Sequence, residues 1–126
     1  MQVDTETQII FLAMIWGGKG PYTISQIIHV YDWINRAVPS REELEIAINT
    51  LLALNLLIMN DDKYIIPVEI GQDFEAFRKR NRKSKFKTVK MYFDRLNREI
   101  DLKQSIEISQ KEYSSELRKY KKFMES

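Results

Sequence analysis

The sequence predicts a mainly helical α+β fold: three helices, a β-hairpin, then further C-terminal helices. Three observations carry this. Apolar residues recur at helical spacing through Ile9, Leu12, Ala13 and Trp16, and again through Leu44, Ala47, Ile48, Leu51 and Leu52. Thr23 with Gln26, and Ser40 with Glu43, have the spacing of capping boxes. Two short apolar runs flank Asn60-Asp61-Asp62-Lys63, a cluster of turn formers.

The first helix is expected from about Asp4 to Trp16. Ile10, Phe11, Met14 and Ile15 fill the positions between its main stripe, so it is apolar all round and needs cover on more than one side. Gly17-Gly18-Lys19-Gly20-Pro21 ends it, because glycine accommodates a helix C-terminus and proline cannot continue one. The second helix starts from Thr23, carries Ile24, Ile27, Ile28, Tyr31 and Ile34 on one stripe, and runs to about Ala37, ahead of Pro39. The third opens at Ser40, and Asn55 suits the left-handed residue that follows a helix. Strands are expected over Leu56–Met59 and Tyr64–Val68, with Pro67 marking an edge.

From Gly71 onward there is no proline and no further glycine, which favours helices. Phe86, Val89, Phe93, Leu96 and Ile100 step by three and four, an a/d seam of two heptads. Ser109 with Glu112 caps a last helix bearing Tyr113, Leu117, Tyr120 and Met124 on one face. Between them, 105–109 (S-I-E-I-S) has the alternation of a short strand. The organisation expected is a domain over 1–70 and a helical extension over 71–126, packed on that domain or on a second copy of the chain.

The run from Ser40 to Val68, S-R-E-E-L-E-I-A-I-N-T-L-L-A-L-N-L-L-I-M-N-D-D-K-Y-I-I-P-V, resembles the third helix and wing of the winged-helix form of the helix-turn-helix domain. The resemblance covers about half the chain and rests on apolar spacing; a three-helix bundle with an unrelated hairpin is the competing architecture. It implies a small DNA-binding transcriptional regulator whose third helix enters the major groove while the wing touches the backbone. On that helix Arg41, Asn49 and Thr50 are the candidate base readers. Two departures stand beside it. The outward face of the helix also carries Glu42 and Glu45, and the wing tip carries Asp61 and Asp62, where a phosphate backbone favours cations.

Net charge is +2, unevenly spread: residues 1–70 hold four basic and nine acidic residues, residues 71–126 sixteen basic and nine acidic. The basic excess concentrates in 78–90, where Arg78, Lys79, Arg80, Arg82, Lys83, Lys85, Lys87 and Lys90 occur without an acid. Such a cluster is rewarded by counterion release on phosphate; its competing readings are a solvated helix face and a complement to the acidic half. Arg80, Lys83, Lys87 and Lys90 have the spacing to share one helical face. Aromatic residues at 16, 33, 74, 77, 86, 92 and 93 could stack on bases, although aromatics at helical spacing more often form core.

Chemistry has little to work with. There is no cysteine and a single histidine, His29, so no disulfide and no metal set is expected. Glu42 and Glu43 lie in a helix first turn, where negative charge suits the macrodipole. Gly17-Gly18-Lys19-Gly20 lacks the spacing of a phosphate loop. No nucleophile, base and orienting group can be assembled, so the expectation is a non-enzymatic protein without a cofactor. The longest apolar run, Ile9–Trp16, has eight residues against the roughly 20 of a membrane span, and the chain is expected in the cytoplasm. The expected partners are DNA and a second copy, joined through the C-terminal helices. The alternative is a protein-interaction module of the same fold that binds no DNA.

Overall fold

Helix α1 (Thr5–Trp16) is the axis around which the chain packs, as its all-round apolar surface requires. In a computed structural model describing residues 3–96 and 105–125, Ile10 through Ile15 are all buried. Asp4 caps the helix by accepting from the Thr7 amide at 2.7 Å. Helices α2 (Ile24–Asn35), α3 (Arg41–Ala53) and α5 (Lys85–Arg95) surround it. The capping boxes expected at Thr23 with Gln26 and at Ser40 with Glu43 form. Asn55 takes the left-handed conformation expected of it, at φ 57°.

Helix α2 ends before the expected limit. Arg36 adopts the left-handed conformation, φ 54°, and its amide closes onto the Asp32 carbonyl, so Ala37 and Val38 lie outside the helix. The hairpin is also shorter than expected. Strands β1 (Ile58–Asn60) and β2 (Lys63–Ile65) pair antiparallel, Ile58 with Ile65, Met59 with Tyr64 and Asn60 with Lys63. Asp61 and Asp62 form the turn with positive φ, 51° and 62°, the two-residue geometry that matches strand twist. Leu56 and Leu57 belong to no strand; they are buried core residues that carry the chain out of α3.

One contact had no forewarning in the apolar pattern. Tyr22, between α1 and α2, forms an antiparallel bridge with Tyr64. Its amide donates to the Tyr64 carbonyl at 2.7 Å, and its carbonyl accepts from the Tyr64 amide at 2.8 Å. Gly20 makes this possible: its φ is +103°, and a Cβ there would lie 2.6 Å from the Tyr64 carbonyl oxygen.

Pro67 does not mark a strand edge. It is the N-cap of α4 (Val68–Arg80), where its missing amide hydrogen costs nothing. The helical extension therefore begins before Gly71 and packs on the first half of the same chain. Phe11 of α1 meets Phe74 of α4 edge-on at 5.7 Å, Tyr92 of α5 in parallel at 5.9 Å and Phe93 edge-on at 5.2 Å. The Tyr92 hydroxyl donates to Asp73 at 2.8 Å, so the cluster's one polar atom is satisfied. A single apolar core thus runs from residues of 1–70 into residues of 71–126.

The expected seam does not form one exposed stripe. Val89 and Phe93 are buried against this chain's own core, Leu96 is half-buried, α5 ends at Arg95, and only Phe86 is exposed among the described seam residues. Ile100 lies outside the described residues.

Helix α6 (Gln110–Glu125) packs on α2. Ser109 caps it by accepting from the Glu112 amide at 3.0 Å. Tyr120 is buried and donates to an Asp32 carboxylate oxygen, and the Tyr113 hydroxyl donates to the Pro39 carbonyl at 2.7 Å. Met124, expected on one face with Tyr113, Leu117 and Tyr120, is exposed.

Two of these tyrosines give a pH signature. Burial pushes the Tyr64 hydroxyl up to about 12, with Glu112 and Asp62 adding to it. Burial likewise raises Tyr120 to about 12, reinforced by its hydrogen bond to the Asp32 carboxylate and by that charge. A folded pKa above the unfolded value of about 10 means the folded state holds its proton longer. The stability this contributes is complete below pH 10 and disappears as pH rises from 10 towards 12. Absorbance at 295 nm, followed with circular dichroism, is expected to show late-ionising tyrosines whose titration accompanies loss of helix. Complete ionisation near pH 10 with the helical signal intact would contradict it.

Candidate nucleic-acid interface

Two surfaces were expected to meet nucleic acid, and the structure treats them differently. On α3, Arg41, Glu45 and Asn49 stand four residues apart on one face, which is occupied by the chain itself. The Asn49 side-chain amide brackets Ile106, donating to its carbonyl at 3.0 Å and accepting from its amide at 2.7 Å. Glu45 accepts from the Ile108 amide at 2.7 Å, and Arg41 donates to the Ile108 carbonyl at 3.0 Å while pairing with Glu45 at 3.3 Å.

The match is geometric. One helical step of four residues rises about 6 Å, close to the roughly 6.6 Å of two extended residues. The turns at Glu45 and Asn49 therefore meet alternate residues, Ile108 and Ile106. That segment is extended but joins no sheet; side chains of α3 replace a partner strand. The fully buried Ile108 anchors it.

The expectation that Arg41 and Asn49 face outward, free to read bases, is thus corrected: both are half-buried and engaged. The polar pairing that suits Asn for adenine, one donor beside one acceptor, is spent on a peptide group. Thr50 is half-buried and takes no part in these bonds. The hairpin is likewise flanked by α6. Asp62 and Tyr64 line an open cleft of about 540 Å³ with Glu112, Glu116 and Lys119. Nothing in the apolar spacing of 105–109 revealed its partner, although the alternation of Ile106 and Ile108 was visible.

The basic segment is the opposite case. Arg78, Lys79, Arg80, Arg82, Lys83, Lys85, Lys87 and Lys90 are all exposed. They do not share one helical face. Helix α4 stops at Arg80, where the Asn81 side chain donates to the Phe77 carbonyl at 3.0 Å, and α5 restarts after Ser84. The buried Thr88 hydroxyl reaches back to the Asn81 and Lys83 carbonyls at 3.4 and 3.3 Å, tying the elbow to α5. Its cations are therefore fanned around a turn.

Arg78 is paired with Glu75 at 2.9 Å and Lys90 with Asp94 at 3.1 Å. The other six have no carboxylate partner among the described residues. Among the described residues, no carboxylate of the acidic half lies within ion-pair distance of them. The elbow and the end of α1 enclose an open cleft of about 570 Å³, lined by Trp16, Arg78, Lys79, Arg82, Lys83, Lys85 and Thr88. The Lys85 ammonium lies 5.9 Å from the Trp16 ring centre and 5.2 Å from that of Phe86. Of the aromatic residues considered for stacking, those at 74, 77, 92 and 93 are core, while Trp16, Trp33 and Phe86 are exposed.

Among the described residues no group of His, Asp or Glu could hold a metal ion, and no helix is long and apolar enough to cross a membrane. No family model, curated protein or solved structure matches the chain.

Proposed function

We propose that this chain is a non-enzymatic nucleic-acid-binding protein of winged-helix type that grips phosphates with its α4–α5 elbow. The observation that carries the reading is the elbow: eight exposed cations around one turn, six without a carboxylate partner among the described residues. Six like charges held together repel, and a polyanion relieves that repulsion while releasing its own counterions. The first turn of α5 holds Lys85 and Lys87 and no acid. That is the unfavourable sign for a helix N-terminus, and a phosphate seated there offsets it. The winged-helix assignment is supported by element order: helix, a bridging residue at Tyr22, two helices, then a hairpin whose second strand takes the bridge.

In this reading binding is positional. Phosphate contacts fix the protein on the strand and carry no sequence information. A regulator's base readout through Arg41, Asn49 and Thr50 would require the 105–109 segment to leave α3. The second reading, a protein-interaction module, is favoured by one observation: α3 already holds an extended peptide through both of its backbone groups at two successive turns.

A salt titration of binding to a labelled random-sequence duplex tests the nucleic-acid reading. The affinity is expected to fall linearly in log–log form, with a slope of about −0.9 per phosphate contact. No binding at low salt would remove the reading and leave the interaction module.

A further inference from the structure

The cleft beside the elbow is built of two kinds of group, and only one is explained by phosphate. Five cations line it: Arg78, Lys79, Arg82, Lys83 and Lys85. The sixth functional wall is the indole of Trp16, at the last residue of α1, which remains 40% exposed although the six apolar residues before it are buried. Phe86, on the first turn of α5, is 41% exposed, and the Lys85 ammonium lies against both rings. A large aromatic left open to water has an unsatisfied apolar face. Here that face is ringed by groups that attract phosphate.

We infer that the cleft binds single-stranded nucleic acid, with an unpaired base stacked on Trp16 and its flanking phosphates held by Lys79, Arg82, Lys83 and Lys85. This rests on the nucleic-acid reading above and names its substrate class. The geometry selects an unpaired strand. A duplex presents only base edges, since its base faces are covered by neighbours, and exposing a face means unstacking it. A single strand offers faces at no such cost, and base–aromatic stacking beside a cationic track is sequence-tolerant. The Lys85 side chain is a flexible stem. Its ammonium gives up the ring to an incoming base and moves onto the adjacent phosphate.

Charge alone works in the other direction, because a duplex is the denser polyanion and returns more counterions per contact. A preference for the single strand therefore isolates stacking from electrostatics. The test uses the full chain carrying Trp33→Phe, so that Trp16 is the only indole. Its fluorescence is followed during titration with a thymidine dodecanucleotide and, separately, with a duplex of equal total charge. The dodecanucleotide is expected to quench Trp16 and to bind more tightly than the duplex. Trp16→Leu, which keeps apolar bulk at the end of α1, is expected to reduce that preference roughly tenfold, about the worth of one stacked base. Trp16→Phe is expected to restore most of it.

Unquenched Trp16 in the bound state, or equal loss on both ligands in Trp16→Leu, would overturn the inference while leaving the elbow as a phosphate site. Failure of both ligands to bind at low salt would overturn the elbow reading as well. A melting curve for Trp16→Leu separates loss of stacking from loss of fold.

Discussion

Replacing Phe11 by Ala is expected to cost about 3–5 kcal/mol, which lowers the melting temperature by about 10–20 °C. Phe11 is fully buried and touches Phe74, Tyr92 and Phe93, so its ring joins α1 to both α4 and α5. Truncation removes the transfer energy of the ring, opens a cavity among aromatics that cannot collapse into it, and forfeits the edge-to-face contacts. The effect is predicted to appear in one cooperative transition, since the core runs continuously from the first half of the chain into the second. Phe123→Ala, at a ring 63% exposed on α6, serves as the control and is expected to change stability far less. Two separate transitions, or a loss below about 1 kcal/mol for Phe11→Ala, would show that α4 and α5 are not integral to the core.

The same residues show what a linear reading can and cannot recover. The caps at Thr23, Ser40 and Ser109 were legible because a capping box is a local event, complete within four residues. The turn at Asp61-Asp62 was legible for the same reason. Strand ends were not. Leu56 and Leu57 are as apolar as any strand, and only tertiary packing decides that they fill the core instead. Pro67 was ambiguous because an edge position and a helix N-cap both tolerate a missing amide hydrogen.

At the candidate interface the limit is sharper. The eight cations of the elbow could be read directly, and their exposure follows from their charge. Their break into two helices at Asn81–Ser84 could not, because no proline or glycine marks it. The occupation of α3 by 105–109 joins residues 57 to 67 positions apart, and single-sequence periodicity contains no such term. Trp16 was weighed as core because an aromatic at helical spacing usually is. It is exposed because it is the last residue of α1, where the helix runs past the partners that cover its interior.

The second large effect concerns binding. A variant with Lys79, Arg82, Lys83 and Lys85 all changed to Ala removes four exposed cations of the elbow cleft, none of which has a carboxylate partner among the described residues. Because none of them holds an ion pair among the described residues, the folded state is expected to lose no more than about 0.5 kcal/mol per site. Binding is expected to suffer out of proportion. Each phosphate contact contributes about 0.9 to the duplex salt slope, so losing four lowers the slope by about 3.6 and weakens affinity by orders of magnitude at low salt. Arg41→Ala makes the complementary case. Arg41 is engaged with Ile108 and Glu45, so its loss is expected to loosen the 105–109 segment and leave the salt slope intact.

The measurement that tests the central claim most directly is the salt slope of DNA binding, determined side by side for the natural chain, the elbow variant and Arg41→Ala. The account predicts a slope about 3.6 units shallower in the elbow variant alone. An undiminished slope in the elbow variant, with the loss appearing in Arg41→Ala instead, would place the phosphate contacts on α3 and contradict it.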